Sequence, residues 1–157
     1  MNTNPKFVYV TYIRTTPEKL WQALIDPEFT RKYWSNTVQE STWKPGAPWK
    51  VVTPSGMIAD SGEVVEFDPP RRLVVTWENQ FREELKGEIT RLTYELEPKS
   101  DSVKLTVIHE GGAPDSKMVE AVSGGWPLIL ASLKSLLETG ESLEATREWP
   151  DDNKCRR

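Results

Sequence analysis

Short runs of alternating apolar and polar residues fill the first two thirds of this chain, and one long segment with helical spacing follows them. Phe7 to Arg14 (FVYVTYIR) places Phe7, Tyr9, Thr11 and Ile13 on one side of a half-buried strand. Further alternating runs cover Thr37–Trp43, Pro48–Thr53, Gly62–Asp68, Arg72–Glu78, Thr90–Glu97 and Val103–Glu110. Gly, Pro and Asp-rich turns separate them, which predicts an antiparallel meander with one apolar face. Between the first two strands, Thr16-Pro17-Glu18 and Asp26-Pro27-Glu28 each read as an N-cap, a first-turn proline and an acidic residue at the positive end of a helix. Two short abutting helices follow from that. Ser116 to Gly140 then carries Val119, Val122, Trp126, Leu130, Leu133 and Leu137 on one stripe. At 1.5 Å per residue such a helix is roughly 35 Å long, enough to cross a small sheet. Gly124, Gly125 and Pro127 inside it predict a kink or a break.

The order is one strand, two short helices, about six further strands and one long helix. That pattern predicts an α+β domain over residues 1–140, a strongly bent antiparallel sheet wrapped around its last helix. Residues 141–157 lose periodicity and become charged, so a flexible tail is expected, with Trp149 able to dock locally.

Composition narrows the chemistry. A net charge of −4 without a basic patch argues against a nucleic-acid partner. No apolar run approaches the ~20 residues of a membrane span, and MNTNPKF lacks the pattern of a secretion signal. The single Cys155 forms no disulfide within the chain and fits a cytoplasmic location. One His and one Cys do not make a His/Cys zinc cage. Neither G-x-S-x-G, G-x-G-x-x-G nor a Walker A loop occurs, so no cofactor or metal is implied.

Several stretches together resemble the SRPBCC superfamily. Thr16-Pro17-Glu18-Lys19-Leu20-Trp21 with Leu24, Asp26-Pro27-Glu28 and Tyr33-Trp34 resemble its N-terminal signature. Gly62-Glu63-Val64-Val65, Asp68-Pro69-Pro70-Arg71-Arg72-Leu73 and Trp77 are similar to the central strands of the branch named for activators of the heat-shock protein 90 ATPase. Gly124-Gly125-Trp126 with Leu130, Leu133 and Leu137 is similar to its final helix. The resemblance implies the helix-grip fold and a deep apolar cavity between sheet and helix. Superfamily members hold lipids, sterols, polyketides or flavonoid-like molecules, and a minority are cyclases or related enzymes. In the eukaryotic activators a separate N-terminal domain supplies much of the chaperone contact.

Within that frame the candidate ligand-binding residues are Trp34, Trp77, Tyr94, His109, Val122 and Trp126. Trp77, Tyr94 and His109 share the apolar parity of their strands, and aromatic walls with polar handles suit a flat ring-bearing ligand. The alternative is that they pack as core. His109 alone has an ordinary pKa near neutrality, which makes it the one candidate for acid–base chemistry. A lone His at a strand end is more often structural. Trp126 reads either as a cavity wall or as a core anchor at glycines that allow close approach. Met57 and Ile58 could belong to a mouth loop, and Glu83, Glu84, Lys86 and Glu88 read as a solvated hairpin. The favoured function is a binding protein for a hydrophobic small molecule. An enzyme using the same cavity and a chaperone-ATPase-stimulating partner are the alternatives.

Overall fold

The computed structural model describes residues 4–150. β1 (Lys6–Ile13) leads into α1 (Pro17–Ile25) and α2 (Pro27–Tyr33). Thr16 caps α1 by accepting the Lys19 amide at 3.2 Å, and Asp26 caps α2 by accepting the Glu28 amide at 2.9 Å. Asp26 also ends α1, its own amide donating to Gln22 O. One residue thus closes one helix and starts the next, which sets the bend between them.

Six strands follow: β2 (Val38–Ser41), β3 (Pro48–Val52), β4 (Ile58–Asp68), β5 (Arg72–Asn79), β6 (Thr90–Lys99) and β7 (Ser102–Glu110). They form one antiparallel sheet in the order β1-β7-β6-β5-β4-β3-β2. The register slips between Val51 and Val52 and again between Val64 and Glu66. Such bulges bend and twist a sheet locally. Gly62 is required between them, because a Cβ there would lie 1.9 Å from the Thr76 carbonyl oxygen.

α3 (Lys117–Thr139) lies against the concave side. Ser116 caps it through the Val119 amide at 3.1 Å, and Gly140 ends it in the left-handed conformation at φ 87°. Glu88, from the β5–β6 connection, fastens its start by accepting the amides of Met118 and Gly112. Leu130, Leu133 and Leu136 meet strand residues such as Val103, Leu105 and Val107 in one core. At about 25 cal/mol per Å² of apolar surface, this shared face is what fastens the helix to the sheet.

Three expectations change. The glycines and Pro127 do not break α3, which runs without interruption from Lys117 to Thr139. Nor do the glycines serve close packing, since a Cβ at Gly124 or Gly125 would meet nothing within 4 Å. Residues 141–150 are not a loose tail. Thr146 is buried, its hydroxyl meeting Ser132 Oγ at 2.6 Å, while its carbonyl accepts the Ser35 amide. Polar groups on α3 and after α2 hold this segment, so its lack of apolar periodicity did not reveal it. Residues 151–157, the rest of the expected tail, lie outside the described residues. Among the described residues no helix is long and apolar enough to cross a membrane.

Candidate functional site

Aromatic packing gathers at one end of the groove between sheet and helix. Trp77, on β5, stands at its centre. Its ring lies 4.9 Å from Trp49, 5.8 Å from Trp34, 5.9 Å from Trp126 and 5.5 Å from His109, centroid to centroid. Trp126 also meets the edge of Tyr94 at 6.1 Å. This cluster fills much of the space that the resemblance implied would be empty.

A cavity of about 970 Å³ opens beside the cluster. Trp34, Trp77 and Trp126 form its inner wall, and Met118, Ala121, Val122, Gly125 and Ile129 line it from α3. Val51, Met57 and Asp60 contribute from the strand side. Phe81, Arg82 and Glu84 stand at the rim with Trp149 and Pro150, and the buried Leu85 adds to the wall. Trp149 reaches the rim by packing edge-on against Phe81 at 5.1 Å, so the C-terminal segment completes the mouth.

Four of the six candidates therefore meet at the cavity: Trp34, Trp77, Val122 and Trp126. Tyr94 and His109 do not line it. Trp126 lines the cavity and touches both, so they stand in the layer behind it.

The bonding of His109 explains its place. The Trp126 indole N–H, a donor only, gives its hydrogen to Nδ1 at 3.2 Å. Nδ1 is thus unprotonated, and the ring proton sits on Nε2, 2.7 Å from Thr90 Oγ1. Thr90 in turn donates to the Trp77 carbonyl at 2.9 Å. The chain from Trp126 through His109 and Thr90 to Trp77 is satisfied only with a neutral imidazole. Burial pushes the His109 pKa down to about 4, in keeping with that arrangement. His109 is a structural tie between α3 and the sheet, and the acid–base role considered for it has no free nitrogen to use. Burial also raises the Tyr94 hydroxyl far above its ordinary value, which keeps it neutral.

Ser35, Asn79, Gln80, Arg82 and Glu84 also contribute to the lining, and the buried charged group at the cavity is Asp60, on β4, 7% exposed. Its Oδ1 accepts the Trp77 indole N–H at 2.8 Å and the Asn79 amide Nδ2–H at 3.1 Å. Burial, opposed by these two bonds, raises its pKa to about 7. The sequence reading missed Asp60 because it began this strand at Gly62. Its pairing with Val51 and Asn79 emerges only from the sheet register. Ile58 belongs to β4 and lies outside the cavity lining, whereas Met57 does line it. The Glu83–Glu88 stretch is not wholly a solvated hairpin: it holds a short 3-10 turn (Glu83–Leu85) and the Glu88 anchor of α3.

A bulged antiparallel sheet gripping one long helix, with a wall of indoles at one end, defines a helix-grip protein whose fold suits ligand binding. Solved structures with the same architecture include protein MLL2253 from Mesorhizobium loti, 23% identical, with a TM-score of 0.71 over 85% of this chain and 96% of that one. The Aha1 dimer from Colwellia psychrerythraea is 20% identical, with a TM-score of 0.70 over 88% of this chain and 99% of that one. DynU16, from the dynemicin biosynthetic locus, is 19% identical, with a TM-score of 0.73 over 92% of this chain and 49% of that one. No curated protein sequence matches. The chain belongs to the Activator of Hsp90 ATPase homolog 1-like family, whose model matches residues 14–138.

Proposed function

We propose that this protein binds a ring-bearing, mainly apolar small molecule in the cavity walled by Trp34, Trp77 and Trp126. The observation that carries the reading is the cavity itself, about 970 Å³, apolar over most of its wall and with a buried carboxylate at Asp60. Pockets for small organic ligands commonly enclose about 300–1,000 Å³ with a few placed polar groups. Indoles add flat area and stacking to the burial of apolar surface. Asp60, and not Tyr94 or His109, would orient the ligand. DynU16 belongs to a biosynthetic locus for a small molecule, which is in keeping with the reading. A cytoplasmic setting, suggested by the lone Cys155, is part of it.

The test is a screen of aromatic and lipid-like compounds against ¹⁵N-labelled protein. Binding as proposed moves the indole N–H signals of Trp77 and Trp126 and the amides of Val122 and Gly125 together. If compounds bind but move only signals remote from the cavity, or if none of a varied library binds, the reading is wrong.

A further inference from the structure

Asp60 presents its two oxygens to different surroundings. Oδ1 is fully used by Trp77 and Asn79, while Oδ2 has no hydrogen-bond partner among the described residues. The orientation of Asn79 is fixed independently, since its Oδ1 accepts the amides of Phe81 and Arg82 at 3.2 and 2.8 Å. Its Nδ2 must therefore point at Asp60 as a donor, and Asp60 Oδ1 must stay an acceptor. Any proton that Asp60 carries lies on Oδ2, on a side chain that lines the cavity.

A buried carboxylate is ordinarily paired with a cation, and among the described residues this one has no such partner. Arg82 is the one cationic residue among those lining the cavity, and its guanidinium is engaged with Glu84 at 2.7 Å. α3 brings no ionisable side chain to the lining, and His109 behind Trp77 is locked neutral by its bond from Trp126. Four indoles, those of Trp34, Trp77, Trp126 and Trp149, border the same space, and the π-faces of indoles attract cations.

We propose that Asp60 makes the cavity selective for apolar ligands that carry an ammonium group, which Oδ2 and the neighbouring indoles would hold. The inference rests on the cavity being a ligand site and names the class of ligand it takes. The ammonium supplies a counter-ion that the described residues do not, and donates a hydrogen to Oδ2. The two N–H bonds to Oδ1 then support the ionised carboxylate. Below the Asp60 pKa of about 7, the incoming ammonium replaces the proton on Oδ2, so binding releases that proton to solvent.

Calorimetry with 2-(1-naphthyl)ethylamine and its neutral counterpart 2-(1-naphthyl)ethanol tests this. The amine should bind about ten- to a hundredfold more tightly, the range of a charge-assisted hydrogen bond. At about pH 6.5, titrations in buffers of different ionisation enthalpy should show the amine releasing about three quarters of a proton and the alcohol none. In Asp60→Asn the preference should fall to within about twofold and the proton release should vanish. Should that variant not fold, the preference of the native protein for the amine over the alcohol still decides. Equal affinity of the two probes, or tighter binding of the alcohol, refutes the selectivity and leaves the cavity reading standing. Failure of both probes to move the Trp77 and Trp126 indole signals removes the cavity reading and this one with it.

Discussion

Asp60→Asn should change the slope of stability against pH between about 4 and 6.5, because two buried groups now oppose each other there. Asp60 has its pKa raised from 3.8 to about 7. Across that interval the folded state holds a proton that the unfolded chain has lost. The stabilisation is complete below about 3.8 and is lost as pH rises through about 7. His109 has its pKa lowered from 6.5 to about 4. There the unfolded chain holds the extra proton, so stability is complete above about 6.5 and is lost as pH falls through about 4. Each pKa unit is about 1.4 kcal/mol, which gives about 4 kcal/mol for Asp60 and about 3 kcal/mol for His109, with opposite signs. In the native protein the two slopes nearly cancel. Exposed carboxylates contribute equally to variant and parent, so the difference between them isolates Asp60. Urea denaturation at a series of pH values should find Asp60→Asn gaining about 4 kcal/mol on the native protein between about pH 4 and 7.5. A difference that stays constant within about 1 kcal/mol would mean a solvated, ionised Asp60, and the charge argument for the cavity would fail with it.

His109→Leu should leave the Trp126 indole N–H buried without an acceptor, at a cost of about 2 kcal/mol. Scanning calorimetry should then show Tm lower by about 4–8 °C, and His109→Gln, which can accept through Oε1, should recover part of the loss. Gly124→Ala should stabilise the protein by about 0.5–1 kcal/mol in urea denaturation, because the position is helical, exposed and free of neighbours. A loss of stability there would show that α3 needs a weak point after all.

The elements were legible because each was written redundantly. Thr16-Pro17 and Asp26-Pro27 supply cap and first turn together, and both helices begin as expected. On β5 Leu73, Val75 and Trp77 are buried as their shared parity requires, and β7 alternates along its whole length. Legibility ended where alternation does. At the start of β4, Ala59 and Asp60 are both buried although they are neighbours. The register slip opposite them, between Val51 and Val52, breaks the period-two rule and conceals a buried charge in what reads as a turn. The segment after Gly140 was unreadable for a related reason, since polar bonds hold it and not an apolar stripe.

Parity identifies which side chains face inward, but not which of them remain in contact with open space. Trp77, Tyr94 and His109 all point toward α3, and a resemblance to cavity-bearing proteins invites placing all three around a ligand. Side-chain volume decides otherwise. Trp34, Trp49 and Trp126 pack around Trp77 and fill that part of the groove, so the remaining space lies beside them. The imidazole and the phenol fall behind that packing, where a polar group persists only if it is neutral. His109 meets this condition by accepting from Trp126 and donating to Thr90. Asp60 lines the cavity beside Trp77 and is tied to it by accepting the Trp77 indole N–H. Trp77 thus separates the closed pair His109 and Tyr94 from Asp60, the buried carboxylate at the cavity. A ligand in that cavity would meet carboxylate chemistry, not imidazole chemistry.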